Sequence, residues 1–139
     1  MTTNMLETLT NYRRIGGQPA IDRLVDAFYN RMDAMPEAST IRAMHQRDLT
    51  VTKEVLKRYL AEWLGGPTLY SQDRGHPRLR MRHMRLDIGP AERDAWMLCM
   101  HDALNEVVTE PAMRTLLRNA FLKLADWVRN DPENPHDKP

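Results

Sequence analysis

Residues 20–32 read AIDRLVDAFYNRM. Ile21, Leu24, Val25, Phe28, Tyr29 and Met32 fall at i, i+3, i+4, i+7, i+8 and i+11, one apolar stripe at the period of an α-helix. Gly16-Gly17 breaks the chain just before it, and Pro19 suits its first turn. The same period recurs along the chain. Thr52, Val55, Leu56, Tyr59, Leu60 and Trp63 form a second stripe, with Thr50 as its cap and Gly65-Gly66-Pro67 as its stop. Behind Gly89-Pro90 come Ala95, Trp96, Cys99, Met100, Ala103, Leu104 and Val107. Behind Pro111 come Met113, Leu116, Leu117, Ala120, Phe121, Leu124 and Val128. A shorter helix opens at Pro36 and ends near Met44. Residues 67–77, with Pro, Gly and Ser, read as a loop, and about two helical turns return after Pro77. There is no alternating strand of useful length and no internal repeat. The expectation is an all-α domain of four long helices and two or three short ones, spanning 1–130, with 131–139 a disordered polar tail.

Composition narrows the function classes. The 139 residues suffice for one domain with a real core. A net charge of +1 excludes a chain that is basic throughout. The single cysteine, Cys99, excludes an internal disulfide and points to a reducing cytoplasm. No apolar run approaches the roughly 18–20 residues that span a bilayer. MTTNMLETLT at the start has neither a basic leader nor a signal-type apolar run. Ten methionines against two phenylalanines give a soft interior, suited to a core or to a pocket.

The positive charge is local. Between Asp73 and Asp87 lie five arginines and two histidines with no acid. On a helix, Arg78, Arg82 and Arg85 share one face, while Leu79, His83 and Leu86 share the next. The arginines form a stripe and His83 looks inward beside it. A basic stripe is ordinarily a solvated face, and an inward histidine is ordinarily a hydrogen-bonded core residue. His76 precedes Pro77, so it does not share a regular helical face with His83, and a two-histidine zinc site is not expected. There is no HExxH, no CxxC, no phosphate-cradling glycine loop and no nucleophile–base pattern. Cys99 reads as a buried thiol within a stripe. A nucleic-acid face normally adds further basic residues or aromatic platforms, and only Tyr70 is near. Guanidiniums beside an inward histidine do suit a flat apolar cofactor with carboxylates at its edge. Tyr29, His45 and Trp96 lie on or beside apolar stripes. Such side chains usually bury the ring and satisfy one hydrogen bond, unless several converge on one cavity.

Five segments together resemble the group II truncated haemoglobins: YRRIGG (12–17), LVDAFYNRM (24–32), WLGGPTLY (63–70), GHPRLRMRH (75–83) and ERDAWMLCMHDAL (92–104). The likeness runs from about Tyr12 to Val128. The stretch from Trp63 to His83, with Trp96 thirteen residues beyond it, carries most of the specificity.

The resemblance implies a truncated globin fold, two helices over two, around haem b. It implies that His83 is the proximal ligand of the iron and that Tyr29 and Trp96 are distal donors. It places Thr52 at the distal position where ordinary globins carry histidine, Leu56 on the pocket wall and Phe28 against the haem. Arg82 is the implied propionate partner, with Arg78, Tyr70 and His76 as lesser ones. Two departures stand out. His45 occupies a position that is phenylalanine or tyrosine in many relatives, where it offers stacking, a second distal donor or a pH-sensitive group. Arg85-Leu86 replaces a proline–phenylalanine pair, losing one aromatic contact. The implied partners are diatomic gases (O2, NO, CO) and an electron-donating reductase, with a homodimer as the assembly; neither nucleic acid nor membrane is expected. Nitric-oxide removal and peroxidase-like chemistry are the implied redox activities. The competing reading is a cofactor-free helical module that docks an acidic partner through the arginine stripe.

Overall fold

The computed structural model describes residues 10–75 and 88–127. Its helices are α1 (Asn11–Ile15), α2 (Gly17–Ala34), a 3-10 turn (Pro36–Ala38), α3 (Ser39–Ala43), α4 (Thr50–Trp63), α5 (Leu69–Arg74), α6 (Pro90–Val107) and α7 (Pro111–Trp127). Among the described residues there is no strand. Helix α2 packs on both α4 and α6, and α6 packs in turn on α7, so one helix pair lies over another. The arrangement matches the expected all-α, two-over-two fold.

The α2 stripe reads as expected. Ile21, Leu24, Val25, Phe28, Tyr29 and Met32 are all buried, and they form the centre of the core with Leu60, Met100, Leu104, Met113, Leu117 and Phe121. Helix α6 begins where Gly89-Pro90 places it. The Gly89 N–H donates to the Glu92 carboxylate at 2.9 Å, which satisfies a donor that the helix start cannot pair internally.

Three expectations change. Residues 69–74, expected within a loop, form α5. Its first-turn N–H at Ser71 donates to the Glu62 carboxylate at 2.9 Å, and the Ser71 hydroxyl donates to the other oxygen of Glu62. The cap thus comes from the preceding helix, and Tyr70 is buried by it. Thr50 does not cap α4. Its own N–H and hydroxyl both donate to Asp48, at 2.9 and 2.7 Å. In α7, Leu116 is 39% exposed, because the buried line runs Met113, Leu117, Phe121 and Ala125 at strict four-residue steps. The expected helix after Pro77 and the expected tail at 131–139 lie outside the described residues.

The turn after α4 is clamped by α1. The Tyr12 N–H donates to the Leu64 carbonyl at 2.8 Å, and the Tyr12 ring lies over Gly66. A Cβ on Gly66 would enter that ring and approach the Ala61 carbonyl oxygen to 2.8 Å. The contact requires glycine for space, since backbone and ring root would both have to shift. Gly66→Ala should therefore lower stability by about 1–3 kcal/mol, as overpacking does. The urea midpoint measures this, and an unchanged midpoint would show that the ring does not seat on Gly66.

Candidate functional site

Phe28 is the hub of an aromatic group drawn from four helices and one connection. Its ring centroid is 4.9 Å from that of Tyr29 and 5.1 Å from that of Trp96. Trp96 continues to Phe121 at 5.8 Å, and Phe121 to Trp63 at 4.8 Å. On the other side, Tyr29 meets the His45 ring edge-on at 5.7 Å. Thus α2, the residues after α3, α4, α6 and α7 all contribute rings to one region.

Two polar atoms in this group are left unpaired. Among the described residues, neither the Tyr29 hydroxyl nor the Trp96 indole N–H has a hydrogen-bond partner. The only fully buried side-chain polar atom without a partner there is Arg31 Nε, so both of these donors still reach accessible space. The Tyr29 residue is nevertheless only 4% exposed. Burial pushes its phenol up to about 12, with the nearby Arg42 guanidinium pulling weakly the other way. Tyr29 therefore keeps its proton and remains a donor throughout the neutral range.

His45 is oriented by its neighbour. Its Nδ1 lies 2.7 Å from the Ile41 carbonyl oxygen, which can only accept. The proton of the neutral ring therefore sits on Nδ1, and Nε2 is the acceptor.

The outer wall of α4 is unusual for a helix with an apolar stripe. Thr52, Val55, Leu56, Tyr59 and Trp63 are half-buried, and only Leu60 and Ala61 are fully inside. Tyr59 leans edge-on against Tyr70 at 5.8 Å. Its phenol is also raised to about 12, by burial first and then by Glu62 and Tyr70. An incompletely covered aromatic and aliphatic wall on α4, together with two unpaired donors beside Phe28, fits a flat apolar group that carries a small polar ligand. The residues present are compatible with haem on this observation. Of the expected site residues, Phe28, Tyr29, His45 and Trp96 come together in contact; Leu56 packs on the same core, and Thr52 lies one turn before it on α4. Tyr70 is buried against Tyr59, further along. His76, Arg78, Arg82 and His83 lie outside the described residues. Sequence reading missed Phe121 as the partner of Trp96, and Trp63 as the next ring behind it, because ring contact across three helices leaves no periodic signal.

Four crossing helices around an aromatic cluster with exposed-ended donors define a small helical ligand-binding protein. The comparisons make the class specific. The description "Bacterial-like globin" matches residues 10–130. The group 2 truncated haemoglobin YjbI of Bacillus subtilis is 39% identical over 117 residues, covering 84% of this chain and 86% of that protein. The group II 2-on-2 haemoglobin from Agrobacterium tumefaciens superposes with a TM-score of 0.85 at 40% identity, over 89% of this chain and 96% of the other. A haemoglobin from the thermophilic phototroph Chloroflexus aurantiacus gives 0.80 at 45% identity, over 88% and 98%. The chain belongs to the bacterial-like globins, within the group II truncated haemoglobins.

The two raised phenols set a measurable pH behaviour. A folded-state value above the unfolded value of roughly 10 contributes stability that is complete below pH 10 and lost as pH rises towards 12. Ultraviolet titration of the apoprotein should show two late tyrosinate steps near pH 12, one removed by Tyr29→Phe and the other by Tyr59→Phe. A Tyr29→Phe titration identical to that of the unmodified chain would contradict the burial of this hydroxyl.

Proposed function

We propose that the chain holds haem b through His83 and binds O2, CO and NO reversibly, with Tyr29 and Trp96 as the donors that set ligand retention. The observation that carries this reading is the pair of unpaired donors beside Phe28. Membership of the globins supports it, since globins bind diatomic gases at haem. When bound, haem supplies a ferrous iron at which these gases are held.

The remaining work falls to the chain. His83 supplies an imidazole nitrogen to the iron. Arg82 pairs with a carboxylate of the cofactor, with Arg78, Tyr70 and His76 as lesser partners. Phe28 and Leu56 wall the pocket, and Thr52 keeps the distal helix small where a larger side chain would crowd it. Tyr29 and Trp96 offer O–H and N–H to a ligand that gathers negative charge. Hydrogen bonds to charged groups contribute about 1.5–3 kcal/mol each. Two acting together slow O2 release by about two to four decades, at roughly 1.4 kcal/mol per decade.

Such retention suits redox use better than storage or transport. The fitting reaction is conversion of nitric oxide to nitrate: one NO, one O2 and one electron give one nitrate ion. The electron calls for a reductase as partner, and the reducing cytoplasm inferred from the lone Cys99 is a suitable home. Peroxide activation, with Tyr29 and Trp96 as oxidisable neighbours, is the secondary activity of the same site.

Titration of the purified chain with hemin should reach an end-point near one equivalent and give a histidine-ligated haem spectrum. His83→Ala should lose most haem or bind it abnormally, and a normal spectrum in that variant would remove His83 from the iron. A colourless chain with no end-point would instead favour the arginine-stripe module. Trp96→Phe should speed O2 dissociation at least about tenfold, the loss of one such hydrogen bond. An unchanged stopped-flow rate would take Trp96 out of the distal role.

A further inference from the structure

Tyr29, beside which a ligand would bind, is only 4% exposed, so a ligand needs a way in from the surface. One groove comes close. It has a volume of about 570 Å³ and lies where the end of α2, the 3-10 turn and α3 meet. Met32, Met35 and Ala43 give it an apolar lining, and Arg42 stands at its rim. The Arg42 guanidinium is fixed there by Asp33 and by the carbonyls of Gln46 and Arg47, both at 2.9 Å. This ties the connection after α3 to the end of α2. His45 lines the same groove while its ring meets Tyr29 at 5.7 Å. The His45 imidazole therefore touches both the groove and the Tyr29 ring.

We propose that this groove is the mouth of the route by which diatomic ligands reach the site, with the His45 ring as the partition they pass. The inference rests on the haem reading above. The chemistry suits it: O2, CO and NO are small and nearly apolar, and a methionine-lined groove is both apolar and deformable. The Ile41 carbonyl accepts from His45 Nδ1 at 2.7 Å, which seats the ring at the groove wall. The groove is separate from the half-buried wall of α4, where Thr52 and Leu56 lie, so the two sides of the pocket can be tested independently.

Ala43 is exposed, so Ala43→Trp fills the groove without disturbing the core. The haem-loaded full chain is used, with CO as the probe. Association is followed after flash photolysis and dissociation by displacement with NO. A plug in a route raises one barrier that is crossed in both directions. It slows entry and exit by the same factor and leaves Kd unchanged, whereas a lost hydrogen bond changes Kd. Ala43→Trp should slow both rates by a common factor of roughly three or more, and His45→Ala should speed association. Unchanged rates in Ala43→Trp, or a change confined to Kd, overturn the route. Failure of the haem reading shows earlier and differently: the unmodified chain would then form no CO adduct.

Discussion

The site depends on one crossing, that of α2 over α6, and the crossing depends on Phe28. Its ring is fully buried and touches both Tyr29 on its own helix and Trp96 on the other. Close packing leaves such a ring one position, so it fixes the separation of the two helices at this level. Tyr29 and Trp96 come from segments nearly seventy residues apart. Neither has a hydrogen bond to hold its polar end, so their convergence is a packing result. Phe121 and Trp63 extend the support behind Trp96 and keep the indole from turning back into the core.

Leaving two donors unpaired has a cost. Full burial of a polar group without a partner costs about 1–3 kcal/mol, and these two donors, which keep some access to solvent, bear part of it. The phenol of Tyr29 already bears the desolvation that raises it to about 12. On the proposed reading, the hydrogen bond that Tyr29 lacks is supplied by whatever enters. The aromatic cluster stabilises the fold by burial, and its polar ends remain without internal partners.

Much of this was legible in the sequence, for reasons that differ by element. The stripes of α2 and α6 were readable because each repeats at helical spacing behind a clear break, Gly16-Gly17 or Gly89-Pro90. Helix α5 was not. Pro67 and Gly75, which read as loop markers, turn out to bracket it, and the cap that makes it viable is a carboxylate nine residues earlier, on α4. Leu116 shows the same limit on a smaller scale. A stripe at i, i+3, i+4 assigns it inward, whereas the actual packing of α7 on α6 selects every fourth residue and leaves it exposed. For the site, the sequence showed which side chains were polar within apolar stripes. It did not show that Tyr29, His45 and Trp96 meet around Phe28, because convergence of separate helices is a property of their crossing and not of their period.

His45 gives the arrangement its asymmetry. With its proton committed to the Ile41 carbonyl, the ring presents an acceptor nitrogen and cannot serve as a second neutral donor. The edge-on ring contact with Tyr29 is an apolar one, and the hydroxyl makes no bond within it. The phenol proton therefore stays available, although an acceptor lies in the adjacent ring. Were the ring to rotate and accept that proton, Tyr29 would be satisfied internally and would no longer be a free donor. The short contact at Nδ1 opposes that rotation, so His45 and Tyr29 meet through their rings and leave the phenol proton to other acceptors.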